Sequence, residues 1–155
     1  MANLSIDYPQ LWQYITAQFP LGDESIHGPR HWRNVESNGI MLATETGADL
    51  AIVRLFAVFH DSRRMNEWTD HEHGKRGGEL ARELRGELFE IDDKRMETLV
   101  EACFWHERGR ISGDATIGTC WDADRLDLPR VGIQPSANYL STAMARRQPG
   151  VTLAF

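Results

Sequence analysis

Cysteine is scarce in this chain. The two present, Cys103 and Cys120, have no metal-type spacing between them and make no disulfide framework. Two reduced thiols in a cytoplasmic protein are the expectation. Long apolar runs are also missing. The most hydrophobic stretch, from Ala51 to Phe59, is interrupted by Arg54 and is far too short to span a bilayer. The first residues, MANLSIDYPQLW, lack the basic start and apolar core of a signal peptide, so no membrane partner is expected. Positive charge is in deficit, with 17 Lys and Arg against 23 Asp and Glu and a net charge of −6. That balance argues against a nucleic-acid polymer as partner, because a phosphate backbone needs a basic face. A local basic pocket for one phosphate group is still compatible with it. Strand-like alternation, hairpin turn signals, internal repeats and low-complexity tracts are absent as well.

Helical periodicity is what the chain does carry. Its 155 residues, 41% hydrophobic and 26% charged, suit one ordinary globular domain with a real core. Leu11, Trp12, Ile15 and Phe19 mark a first amphipathic helix over residues 8–19. Pro29 fits the first turn of a second helix, where its missing N–H costs nothing. That helix runs to about Gly47, with Trp32, Val35, Gly39, Leu42 and Ala43 inward. A central element spans about 48–59, a polar loop 62–72, and a short helix follows His73. In that short helix the pair Gly77-Gly78 weakens the element by roughly 1 kcal/mol each relative to alanine, unless close packing requires them. Residues 92–108 form a further helix with two aspartates at its positive end and Met96, Leu99, Val100, Cys103 and Phe104 inward. ATIGTCWDADRLDLPR is a helix delivering Asp122, Asp124 and Asp127 and stopping at Pro129. A last helix, 136–147, packs Tyr139, Leu140, Ala143 and Met144, and the tail after Pro149 is loose. Six or seven helices in a single-domain, all-α bundle are expected.

The stretch AIVRLFAVFHDSRR organises the rest. It is apolar around most of its circumference, which places it at the centre of the domain. It then ends abruptly in His60, Asp61 and two arginines. Burying a histidine beside an aspartate is costly unless something charged or hydrogen-bonded meets them. A divalent metal suits both, since imidazole nitrogen and carboxylate oxygen are both good ligands. Other helix ends bring more of the same chemistry: His31 opens one helix, His73 opens another, His106 closes a third, and Asp124 lies on a late one. Ligands scattered in sequence but gathered at element ends are typical of a catalytic metal site with open positions, unlike the tight Cys pairs of structural zinc.

The ordered set within HGPRHWRNV, VFHDSRR and WDADRLD resembles the HD-domain metal-dependent phosphohydrolases, over roughly Ile26 to Leu128. The pattern of that family is a histidine, a His-Asp pair and a later aspartate on a helical bundle. The resemblance implies a metal held by His31, His60, Asp61 and Asp124, with Asp124 preferred over Asp122 for the A-D-R-L wording around it. Some branches add two histidines that hold a second metal, and His73 and His106 fall where those would be. Arg64 corresponds to a basic residue that faces phosphate in relatives. One departure is that Asn34-Val35 stands where relatives often carry Arg-Val, with Arg33 displaced by one.

The implied activity is hydrolysis of a phosphoester in a small phosphorylated molecule, such as a nucleotide, by a metal-activated water. The ion is Mn, Fe, Co, Ni, Mg or Zn, present once or twice. Asp61 would bridge two ions if two are present, and Arg63 or Arg64 would neutralise developing charge. His27, one turn before His31, is a candidate proton donor to the leaving group. Trp32 and Trp105, each beside a site histidine, are candidates to wall the pocket, while His71 is a solvated loop residue. Two other classes fit the same residues: a non-catalytic nucleotide or metal sensor, and a di-iron oxygenase on the same bundle. The oligomeric state is left open.

Overall fold

The computed structural model describes residues 4–153. The first helix, α1 (Tyr8–Gln18), is started by Asp7, whose side chain accepts the Gln10 N–H. α2 (Pro29–Thr46) begins at the proline and ends at Gly47, which takes the left-handed conformation at φ 75° that closes a helix without a Cβ penalty. α3 (Leu50–Phe59) is the central element. Asp49 caps it through Ala51 N and Ile52 N, so Ala48 and Asp49 precede the helix. α4 (His73–Leu84), α5 (Asp93–Trp105) and α6 (Ala115–Arg125) complete the core helices. Asp92 caps α5 and Asp114 caps α6 by the same side-chain device.

All but three residues of α3 are buried, and it touches α1, α2, α4, α5 and α6. A helix apolar on every side is stable only with neighbours on every side, and burying side chains such as Leu55, Phe56 and Phe59 contributes roughly 1.5–3 kcal/mol each. Two of the crossings are set by glycine. A Cβ on Gly39 of α2 would run into the Val53 side chain, and one on Gly77 of α4 would run into the Phe59 carbonyl. Gly74 meets the Cys103 carbonyl and Gly78 the Phe104 ring in the same way. The glycines of α4 are therefore a packing requirement, and they bring α4 against the end of α3 and the last turns of α5.

The structure differs from the sequence expectation in several places. A two-residue antiparallel pair, β1 (Ser5–Ile6) with β2 (Phe89–Glu90), joins the N-terminus to the α4–α5 connection; segments this short leave no alternation to detect. α6 ends at Arg125 rather than at Pro129, and Pro129 lies inside a separate 3₁₀ turn, Leu128–Val131. The continuous helix expected over 136–147 is broken into a 3₁₀ turn (Ala137–Tyr139) and a four-residue helix, α7 (Ala143–Arg146). The cause is Asp122. Its carboxylate accepts the Ser141 and Thr142 N–H groups at 2.7 and 2.8 Å and the Thr142 hydroxyl at 2.7 Å, holding Leu140 extended. Leu140 is buried, but Tyr139 and Ala143 face solvent and Met144 is half-buried. The tail is also tied down as far as Thr152, which exchanges backbone hydrogen bonds with Pro135 and Ala137.

Candidate metal centre

Five helix ends converge. His31 is in the first turn of α2, His60 is the residue that closes α3 with Asp61 next, His73 is the first residue of α4, His106 closes α5, and Asp124 lies in the last turn of α6. Asp61 is at the middle. Its Oδ2 lies 3.4 Å from His31 Nε2 and 3.5 Å from His60 Nε2. Its Oδ1 lies 3.0 Å from His73 Nε2 and 3.3 Å from His106 Nε2. Asp124 Oδ1 adds to the first group, 3.0 Å from His31 Nε2 and 3.4 Å from His60 Nε2. All six sequence candidates for ligands are therefore brought together, in two trios, His31–His60–Asp61 and Asp61–His73–His106, with Asp124 joined to the first.

The four imidazoles face the centre with the same nitrogen because backbone and acidic groups take the other one. Nδ1 of His60 donates to the Phe56 and Ala57 carbonyls, Nδ1 of His106 to the Cys103 carbonyl at 2.7 Å, and Nδ1 of His73 to the Asp70 carbonyl at 2.6 Å. Nδ1 of His31 donates to Asp127 Oδ2 at 2.7 Å, and Asp127 is itself held by the Asn34 amide. Each Nε2 is thus left with its lone pair directed inward. Two such lone pairs, 3.1 Å apart between His31 and His60 and 3.0 Å apart between His73 and His106, repel unless a proton or cation lies between them. The five groups are at most 5% exposed, so water does not offset the charge of Asp61.

The electrostatics call for positive charge. Burial opposes ionisation of Asp61, but the imidazoles of His60, His106, His31 and His73 hold its carboxyl well below the usual range. Burial likewise opposes charge on His31, yet Asp124, Asp127 and Asp61 outweigh it and hold its pKa up to about 10. His73 is raised to about 10 in the same way, with Asp61 and Glu107 overcoming burial. For His60 burial wins and the ring is held neutral. Imidazole nitrogens with carboxylate oxygens form a donor set that a divalent cation satisfies, and the residues present fit such an ion.

The remaining candidates fall around this centre or away from it. His27 is 3.8 Å from Asp61 Oδ2 through Nδ1, while its Nε2 donates to the Glu67 carbonyl. Burial lowers its pKa, so it is neutral, and its Nδ1 accepts from Arg130 at 3.4 Å. Arg64 is buried, with its Nε and Nη2 donating to the Asn66 and Trp68 carbonyls and its Nη1 3.1 Å from His73 Nδ1. Arg63 points elsewhere, toward Arg76, Glu79 and Glu83 on the outer face of α4. Asp122 is spent on the Ser141–Thr142 turn, and His71 is exposed. Trp32 does not wall a pocket: it is a core side chain whose Nε1 donates to the His27 carbonyl. Trp105 is half-buried and stacks with Arg110.

Sequence reasoning passed over three groups. Asp127 orients His31, Arg130 reaches His27 Nδ1 at 3.4 Å, and Glu107 approaches His73 Nδ1 to 2.6 Å at an angle too poor for a hydrogen bond. Glu107 had a detectable signal, since His106-Glu107 at the end of a core helix repeats the form of His60-Asp61.

No family model matches the chain, and no curated protein does. Among solved structures it is similar to a crystal structure of a predicted HD superfamily hydrolase from an uncultured Thermotogales bacterium, at 25% identity and a TM-score of 0.72. The likeness covers 92% of this chain and 82% of that one. On that likeness and on the seven α-helices among its described residues, the chain has an HD-domain-like fold.

Proposed function

We propose that this protein is a metal-dependent phosphohydrolase that cleaves the phosphoester of a small phosphorylated molecule. The observation that carries the reading is the Asp61 carboxylate with two imidazole Nε2 atoms against each of its oxygens. His31, His60, Asp61 and Asp124 would hold one divalent ion, and Asp61, His73 and His106 a second, the ions being Mn, Fe, Co, Ni, Mg or Zn. When bound, such ions supply Lewis acidity, lowering the pKa of a water and polarising the phosphorus centre. The similar Thermotogales protein is described as a predicted hydrolase, which supports the class of reaction.

The chain's own side chains supply proton handling and charge. His27 enters neutral, and its Nδ1 can accept a proton from the attacking water where it displaces the long 3.4 Å bond from Arg130. Once protonated there, it can return that proton to the departing alcohol, the donor role expected of it. Arg64 on the His73 side and Arg130 beside His27, each anchored by backbone carbonyls, add positive charge near the centre that would offset negative charge growing on the phosphoryl oxygens. Asp127 keeps His31 in the tautomer that presents Nε2. Those cations favour an anionic substrate over the oxygen chemistry of a di-iron oxygenase.

Protein prepared without chelator is expected to contain roughly one or two equivalents of divalent metal, by the two trios. Loaded with Mn, Co, Ni, Mg or Fe it should release inorganic phosphate from a phosphomonoester panel, and Asp61→Ala should lose both metal and activity. Silence across the panel with metal bound would leave a metal or nucleotide sensor. Oxygen uptake with a mixed-valent iron signal would instead point to the oxygenase.

A further inference from the structure

One side of the metal centre opens into a cavity of about 400 Å³, of which His106, Glu107 and Asp124 form the inner end. Its walls are Leu128, Ile133, Pro135, Tyr139 and Leu140. Ile133 and Tyr139 stand at its mouth, 52% and 56% exposed. The charge lining this space is acidic at the reacting end, from Asp124 and Glu107. Its one lining cation, Arg125, is committed to the protein: its guanidinium donates to the carbonyls of Arg110, Tyr139 and His106. The other cations near the centre, Arg64 and Arg130, do not line this cavity.

Resting on the phosphohydrolase reading above, we infer that this cavity receives the alcohol half of the substrate, and that this alcohol is apolar and ring-bearing, of about one or two rings. A polyphosphate chain would meet Asp124 and Glu107 with no uncommitted cation, and a polyhydroxylated sugar would find only Gln134, Ser136 and the Tyr139 hydroxyl as donors against a largely aliphatic wall. A volume of this size, bounded by aliphatic side chains and one exposed tyrosine ring, instead gains by excluding water from an apolar surface. In the reaction, the water oxygen bonds to phosphorus as the ester P–O bond breaks. The bonding pair stays on the alcohol oxygen, which takes one of the water protons, and the products are the alcohol and inorganic phosphate. The purely apolar alcohol then leaves through the mouth between Ile133 and Tyr139.

Three primary-alcohol monoesters of similar intrinsic reactivity test this: naphthylethyl phosphate, glycerol phosphate and adenosine monophosphate. The metal-loaded protein should favour naphthylethyl phosphate by about tenfold or more in kcat/KM, the ratio set by roughly 1.4 kcal/mol of burial. Ile133→Asp, at a half-exposed position that the fold does not depend on, should shrink that preference at least tenfold. Independently of turnover, calorimetry on metal-free protein should detect naphthylethanol binding that Ile133→Asp removes, with no heat from glycerol. Absence of naphthylethanol binding, or hydrolysis of adenosine monophosphate or glycerol phosphate as fast as the naphthylethyl ester, overturns the inference. No phosphate release from any of the three overturns the phosphohydrolase reading instead, and the binding of naphthylethanol then decides the cavity by itself.

Discussion

Asp122 and Asp124 lie two residues apart on α6 and have opposite employment, because two steps along a helix turn a side chain to the other face. Asp124 faces His31 and His60, whereas Asp122 faces the Ser141–Thr142 turn. Asp124→Asn should therefore reduce bound metal and, in the metal-free protein, remove a charged partner of His31. Asp122→Asn should keep the metal and lower stability by about 1–3 kcal/mol through its weakened buried hydrogen bonds. Metal analysis and denaturant unfolding on the same two variants separate the roles. The imidazoles carry a pH signature. His31 and His73 have folded pKa values of about 10, above the ordinary 6.5, so in chelated protein their contribution to stability is full below pH 6.5 and is lost as pH rises toward 10. Since a ligand imidazole must be deprotonated, cation binding at pH 7 should release protons. Calorimetry in buffers of different ionisation enthalpy measures that release, and a binding heat independent of buffer would show that the two rings are already neutral.

At the scale of elements, α4 shows how backbone closeness serves the site. His73 is its first residue, and its glycines let it lie on Phe59 and Cys103 carbonyls. Gly77→Ala would raise helix propensity by about 1 kcal/mol. Yet the added methyl meets the Phe59 backbone, which cannot yield as a flexible side chain would, and overpacking of this kind costs about 1–3 kcal/mol. The second effect wins. The variant should be less stable and, with α4 pushed off α3, should lose metal selectively from the His73–His106 side, so that metal content falls by about half if both trios are filled. A more stable variant with unchanged metal content would show that the crossing relaxes freely. The helix dipoles and caps set where these elements begin, but the crossing glycines set how near they come.

For the whole molecule, the ligands arrive on α2, α3 and α6 for one trio with Asp124, and on α4, α5 and the end of α3 for the other, so two bound cations would tie together α2 through α6. Binding to the folded state alone stabilises by RT ln(1 + [L]/Kd), roughly 2.7 kcal/mol at a hundredfold excess over Kd. Chelation should lower the melting temperature by several degrees and restored metal should recover it; Asp61→Ala should show neither response. Among the described residues no helix is long and apolar enough to cross a membrane.

Much of this architecture was open to inspection in the chain itself, because helix periodicity, capping aspartates, Pro29 and Gly47 act over a few residues. The His60-Asp61 pair at the end of an almost wholly apolar helix announced a buried charge in need of a partner by composition alone. The Nδ1 partners of His60, His73 and His106 lie three or four residues earlier in the chain, whereas local pattern could not show which nitrogen His31 presents, since Asp127 reaches it from 96 residues away. Nor could it show that residues 136–147 are broken, because the breaking group, Asp122, reaches them from 19 positions earlier in the chain. The order and kind of the helices were thus determined by sequence, through interactions between near neighbours. The meeting of both oxygens of Asp61 with four imidazoles, and the apolar cavity beside them, were decided only in tertiary structure, where long-range packing fixes distances that no spacing in the chain encodes.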